Sequence, residues 1–187
     1  MKKTIIISLA FMLLFFGCAT WVAVGGKHSQ SSQNFEVELP EGWRKLNTVQ
    51  DKILITRDGL ALQQIHVLRR SVDKELAFTK KKLAADMMPQ EMAEVLKDNI
   101  RSNPNITNQQ FISDTPAQIG GHPGLKLVYT YQTKDGLTKK GIIYFLMLDN
   151  WCYEILYEAP ERHYFSKDLP AFNQVKESFR LIKDSTT

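Results

Sequence analysis

The chain has 187 residues, of which 24 are lysine or arginine and 20 are aspartate or glutamate, giving a formal net charge of +4 at neutral pH. A chain of this length can bury about 70% of the surface its unfolded form exposes, so one self-sufficient core is expected, and so balanced a charge offers no basic face for nucleic acid. Its two cysteines, Cys18 and Cys152, exclude a disulfide framework, and stability has to come from ordinary packing.

Lys2 and Lys3 precede an apolar run over residues 5–16 that ends in Gly17-Cys18. A basic start, a short apolar segment and a small residue before the cut read as a secretory signal peptide over 1–17. Leu14-Phe15-Phe16-Gly17-Cys18 resembles the lipobox of bacterial lipoproteins, although Phe15 stands where an aliphatic residue is usual. The resemblance implies removal of 1–17, a diacylglycerol on the Cys18 thiol and a further acyl chain, such as palmitate, on the new amine. Two or three chains make release negligible, so a permanent membrane anchor in the cell envelope is expected. In enterobacterial lipoproteins an aspartate after the cysteine retains the protein in the inner membrane. Ala19 stands there instead, which by the same resemblance points to the periplasmic face of the outer membrane. The alternative is an uncleaved signal anchor, because apolar character continues to Val24 and residues 5–24 could span a hydrocarbon core. Both readings put the folded part outside the cytoplasm. Without 1–17 the basic residues number 22 against 20 acidic, a net charge of +2.

Residues 18–33 read as the lipidated cysteine and a flexible tether, with Gly25-Gly26 and a polar Ser29-to-Gln33 run, of roughly 20 to 24 Å end to end. A single domain is expected over 34–182, followed by a short tail, 183–187. Phe35-Glu36-Val37-Glu38-Leu39 alternates as a half-buried strand, and Pro40-Glu41-Gly42 is expected to turn the chain before Trp43. Runs over 53–57 and 60–68 read as strands joined across Asp58-Gly59. Residues 71–88 carry no clear period, but Leu76, Phe78 and Leu83 suggest a segment packed on the sheet. Pro89 suits the first turn of a helix whose buried stripe is Met88, Met92, Val95, Leu96 and Ile100, and Asn103-Pro104 stops it.

A strand is then expected over 111–119, with a glycine-rich connector at 120–124. Phosphate-cradling loops stand between a strand and a helix, and here a strand follows, so backbone freedom explains these glycines better than an anion site. Three long strands with tight turns at Asp135-Gly136 and Asp149-Asn150 follow, and a last helix is expected over about 168–180 with Leu169, Phe172, Val175 and Phe179 on one stripe. The fold class is α+β, an antiparallel β-sheet with helices packed on it.

The four histidines, His28, His66, His122 and His163, fall in separate elements without ligand spacing, so no metal or other cofactor is expected. Cys152 shares a strand face with Glu154, Leu156 and Glu158, whose carboxylates would suppress a thiolate, and reads as an inert small side chain. Signatures of a nucleophile elbow, a metalloprotease helix or a nucleotide loop are missing, so no catalytic residues are assigned. Tyr129 and Tyr131 on one strand and Trp151 and Tyr153 on another hold same-parity positions that could line one sheet face, as a ligand or partner surface or as core. Arg69-Arg70, Lys80-Lys81-Lys82 and Lys139-Lys140 read as solvated faces, with contact to anionic head groups as the alternative.

Phe35-to-Trp43, Ile55-Thr-Arg-Asp-Gly59, the helix after Pro89, Ile119-to-Gly124, Tyr157-Glu-Ala-Pro160 and the closing helix resemble the PsbP-like/DcrB-like superfamily over most of residues 34–182. The resemblance implies an α/β/α sandwich and relatives that bind protein complexes, among them a photosystem extrinsic subunit and a small-GTPase binder, without a shared catalytic centre. The expected role is therefore a non-enzymatic, lipid-anchored module that binds or helps assemble an envelope protein complex. The alternative is a periplasmic carrier of a small molecule or lipid in a cleft walled by Tyr129, Tyr131, Trp151 and Tyr153.

Overall fold

The computed structural model describes residues 20–49 and 51–182. The expected signal peptide, Cys18 and the tail 183–187 lie outside the described residues.

Among the described residues, nine strands form one antiparallel sheet. In chain order they are β1 (Trp21–Gln30), β2 (Phe35–Leu46), β3 (Lys52–Thr56), β4 (Gln64–Ser71), β5 (Ile106–Ile119), β6 (His122–Thr133), β7 (Thr138–Leu148), β8 (Trp151–Pro160) and β9 (Arg180–Leu181). Across the sheet the order is β1-β2-β3-β4-β8-β7-β6-β5, and β9 pairs with the start of β2. Two meanders therefore meet at one seam, where β4 and β8 pair from Gln64 opposite Glu158 to Ser71 opposite Trp151. Helix α1 (Pro89–Arg101) covers the C-terminal meander on one face, and α2 (Tyr164–Ser178) packs on the other against β2 and β8. The result is the α/β/α sandwich that the resemblance implies.

Both helices follow from their apolar stripes. In α1, Met92, Ala93 and Leu96 are buried, and the Glu91 carboxylate accepts the Met88 N–H at 2.9 Å, satisfying a donor at the helix start. In α2, Phe165, Phe172 and Val175 are buried, and the helix begins at Tyr164, earlier than its stripe suggests. Its first turn is held from the sheet: the Tyr157 hydroxyl reaches the carbonyls of Tyr164 and Phe165 at 2.9 and 3.1 Å. Pro170 inside the helix is tolerated there.

The tight turns are built as their residues require. Gly120-Gly121 and Asp149-Asn150 both hold positive φ at two successive positions (57° and 85°; 49° and 64°), which joins β5 to β6 and β7 to β8 in two-residue hairpins. The Asp58-Gly59 connection is longer than a two-residue hairpin, because β3 ends at Thr56 and β4 begins only at Gln64.

Three expectations are corrected. The stretch read as tether contains β1, paired with β2 from Trp21 opposite Leu46 to Gln30 opposite Phe35. None of its side chains is fully buried, so no buried stripe marks it; backbone pairing along an edge holds it. Pro40-Glu41-Gly42 does not end the first strand. The ladder jumps there from Val24–Trp43 to Gly26–Leu39, a bulge in which Gly42 takes φ 75°, and β2 runs on to Leu46. Strand β5 starts at Ile106, five residues early, because register shifts after Thr107 and Phe111 break the alternation by which a strand is recognised.

Candidate functional site

Strict alternation along β8 divides its side chains between the two faces. Tyr153, Ile155, Tyr157 and Ala159 join the core under α2, whereas Cys152, Glu154, Leu156 and Glu158 face α1. Pairing then carries Glu158 into one row with Gln64 of β4, Gly141 of β7 and Tyr129 of β6. Gly141 is the device that closes this row, because a Cβ there would overlap the Tyr129 ring. With no side chain in the way, Tyr129 reaches across β7 and its hydroxyl donates to Glu158 Oε1 at 2.7 Å, while Gln64 donates to Oε2 at 2.6 Å. Tyr131 stacks on Tyr129 with centroids 5.9 Å apart.

The four aromatic residues expected on one wall are therefore split. Tyr129 and Tyr131 face α1, and Tyr153, with Trp151 packed against it, belongs to the core under α2. Shared parity on separate strands decides nothing until register is known, since a one-residue shift exchanges faces.

Each pair lines a different cavity. The tyrosines stand in a cleft of about 410 Å³ between the β4–β8 seam, α1 and the segment before it. Its roof is Leu76, Phe78 and Ile100, and its polar floor is His66, Arg70, Glu154 and Glu158. The roof is tied to α1: Asn99 accepts the Phe78 N–H at 2.9 Å and Lys81 pairs with Asp98 at 2.9 Å. On the floor, His66 Nε2 and both Nε and Nη2 of Arg70 are buried without a hydrogen-bond partner.

Burial governs the chemistry of this floor. It drives the His66 imidazole down to about 3, helped by Lys52, so the ring is neutral at ordinary pH. It raises the Glu154 carboxyl, against the pull of Arg70, and raises the Tyr129 hydroxyl, with Glu158 adding to the effect. The Cys152 thiol is fully buried and pushed up to about 12, by burial first and Glu154 second, so it is no nucleophile. The sequence did not bring the charged and histidine side chains of this floor together as a site: Arg70 reads there as a solvated face, His66 as an isolated histidine, and Glu154 and Glu158 only as neighbours of Cys152; the one available signal was glutamate at 154 and 158 in a strand that is otherwise apolar or aromatic.

Trp151 and Tyr153 line the second cavity, a groove of about 410 Å³ beside the Asp149-Asn150 hairpin, with His122 and Leu181 on its rim. The Arg69 guanidinium lies 3.6 Å above the Trp151 ring and 5.9 Å from that of Tyr153. Arg69 and Arg70 thus serve opposite faces and form no joint basic patch. Lys139 and Lys140 are split in the same way: Lys139 is buried, while Lys140 lies 5.1 Å from the Phe165 ring. Among the described residues, no group of three or more histidine, cysteine or acidic side chains converges on a metal position.

A family model described as PsbP matches residues 26–181. The chain belongs to the PsbP family. Three solved structures share its PsbP-like fold, each with a TM-score of 0.53. Cyanobacterial PsbP (CyanoP) from Synechocystis sp. PCC 6803 is 13% identical, with 89% of this chain and 95% of that one covered. The Saccharomyces cerevisiae Ran-binding protein Mog1p is 10% identical, covering 88% and 98%. LpqN, involved in cell envelope biogenesis of Mycobacterium tuberculosis, is 16% identical, covering 87% and 90%. A protein from Bacteroides thetaiotaomicron, 13% identical with a TM-score of 0.53, aligns with 86% of this chain, which spans about half (49%) of its length. Comparison with curated proteins gives no match. At these identities the likeness speaks for the fold alone.

Proposed function

We propose that this chain is a non-catalytic binding module of the cell envelope, moored through lipid on Cys18 at the periplasmic face of the outer membrane and serving the assembly of an envelope protein complex. The observation that carries this reading is that two candidate reactive groups buried in the sheet, Cys152 and His66, are disarmed. Cys152 is a thiol up to about pH 12, and His66, down at about 3, exchanges no proton near neutrality. Contact, and not turnover, is what such groups support. Membership of the PsbP family agrees with this, as do a fold-sharing Ran-binding protein and one involved in cell envelope biogenesis.

The early start of β1 changes how such an anchor would act. Only Ala19 and Thr20 separate Cys18 from Trp21, a reach of at most about 11 Å for three extended residues. A lipid on Cys18 would hold the sheet edge against the bilayer, where a free tether would let the domain wander. The partner surface we assign is the groove around Arg69 and Trp151, since arginine and tryptophan dominate the binding energy of protein interfaces.

The test is made in envelopes of the native host. Intact-mass analysis of the purified protein is expected to show cleavage before Cys18 and added acyl mass, and Cys18→Ser to release the domain from the membrane fraction. Cross-linking is expected to give one recurrent adduct that Trp151→Ala weakens. A bare thiol with the leader retained defeats the anchoring, and a protein that yields no adduct at native abundance defeats the assembly role.

A further inference from the structure

The cleft floor holds an arrangement that the partner reading does not use. The Arg70 guanidinium lies beside the Cys152 thiol, and its Nε and Nη2 are buried without a carboxylate or carbonyl to accept from them. Those two nitrogens form the side-on fork that takes the two oxygens of a carboxylate. On the same face lies Glu154. Arg70 pairs with Cys152 across the seam, and Glu154 pairs with Leu68, so the two are diagonal neighbours on adjacent strands. Such positions stand roughly 7 to 8 Å apart, within reach of long side chains, yet no direct ion pair joins these two, so one small molecule can bridge them. Among the described residues neither makes an ion pair, whereas each oxygen of Glu158 beside them accepts a hydrogen bond, from Tyr129 and from Gln64.

We propose that this cleft binds a small zwitterion, an α-amino acid or dipeptide with an apolar side chain, its carboxylate on the Nε–Nη2 edge of Arg70 and its ammonium on Glu154. Leaving a buried donor unmet costs about 1 to 3 kcal/mol, and folded proteins rarely leave several together unless a bound molecule or water meets them. Two such donors, both on Arg70, and the unpartnered His66 Nε2 belong to side chains that line one cleft. The charge of the floor selects the class of ligand. Lys52 and Arg70 balance Glu154 and Glu158, so a molecule with both signs leaves the site neutral, while a phosphate or a simple acid brings an uncompensated charge close to two carboxylates. The cleft volume of about 410 Å³ falls within the usual span for small-molecule sites. Leu76, Phe78 and Ile100 receive the apolar part.

The experiment is calorimetric titration of the full chain in detergent with L-leucine and L-leucyl-L-leucine, beside 4-methylpentanoate, which lacks the amine, and isopentylamine, which lacks the carboxylate. At least one of the zwitterions is expected to bind, and each truncated analogue to bind at least about tenfold more weakly, because it leaves one buried charge unpaired. Glu154→Gln is expected to erase the preference for leucine over 4-methylpentanoate. Arg70→Gln is expected to abolish zwitterion binding, and Arg70→Lys, which keeps the charge but loses the fork, to weaken it strongly if the glutamine variant fails to fold. Absence of heat with both zwitterions overturns the proposal, as does 4-methylpentanoate binding as tightly as leucine, or undiminished binding by a folded Arg70 variant.

Discussion

The two faces of the sheet are made by the same strands and sealed by one helix each, yet they differ in what they seal. Under α2 the core is closed and aromatic: Tyr157 stacks between Phe165 and Phe172, with centroids 5.2 and 5.3 Å away, and Phe35 and Tyr153 flank Phe179. Under α1 the core is complete only over β5–β7. Toward the β4–β8 seam, α1 gives way to the irregular segment before it, and the floor there carries charge. One face is spent on stability. The other leaves polar groups short of partners, a condition that a binding protein tolerates where a ligand can complete it.

The sharpest break of that contrast is Phe172→Ala. It removes a fully buried ring from the closed face and is expected to cost about 3 to 5 kcal/mol in denaturant unfolding, more than any change on the cleft floor. Gly141→Ala comes next, at about 1 to 3 kcal/mol, since the added methyl overlaps Tyr129 and has to displace it from Glu158. A proportionate loss of cleft binding is expected with it.

Smaller in size, but specific to the cleft, is a pH effect. Folded His66 releases its proton near 3 against an ordinary 6.5, so the unfolded chain holds more protons between those values. Its contribution to stability is complete above about pH 6.5 and declines as the pH falls toward 3. His66→Gln is expected to flatten the stability profile over that window by up to one proton's worth of slope. Glu154, raised by burial, works in the opposite sense, and Lys52, Arg70 and Glu158 share the floor, so the difference between the variant and the parent is the quantity to measure. A difference profile without slope would remove His66 from the buried floor. The least effect is expected at the sheet edge. There Lys27 and Glu36 pair at 2.9 Å on the surface, and Lys27→Ala is expected to change stability by less than about 0.5 kcal/mol.

Helix α1 was readable nearly to its ends, because Pro89 and a stripe of period 3.6 are local facts of the chain. The hairpins from β6 to β8 were readable for the same reason, through Asp135-Gly136 and Asp149-Asn150. Strand β1 was not: its alternation is broken at Gly25-Gly26 and none of its side chains is fully buried, so only its partner strand reveals it. The candidate site was half readable. Tyr129 and Tyr131 were found, but they were joined to Trp151 and Tyr153, which point the other way.

By itself the sequence determined the class of fold and the inertness of Cys152, because periodicity and turn chemistry act over a few neighbouring residues, and its motifs carried the resemblance to the family. Tertiary structure alone decided which faces those residues share. Arg70 and Glu154 stand far apart along the chain and become diagonal neighbours only when β4 pairs with β8, and Tyr129 reaches Glu158 only because Gly141 stands between them. Strand register is a relation between distant segments, and one step of it moves every side chain to the opposite face.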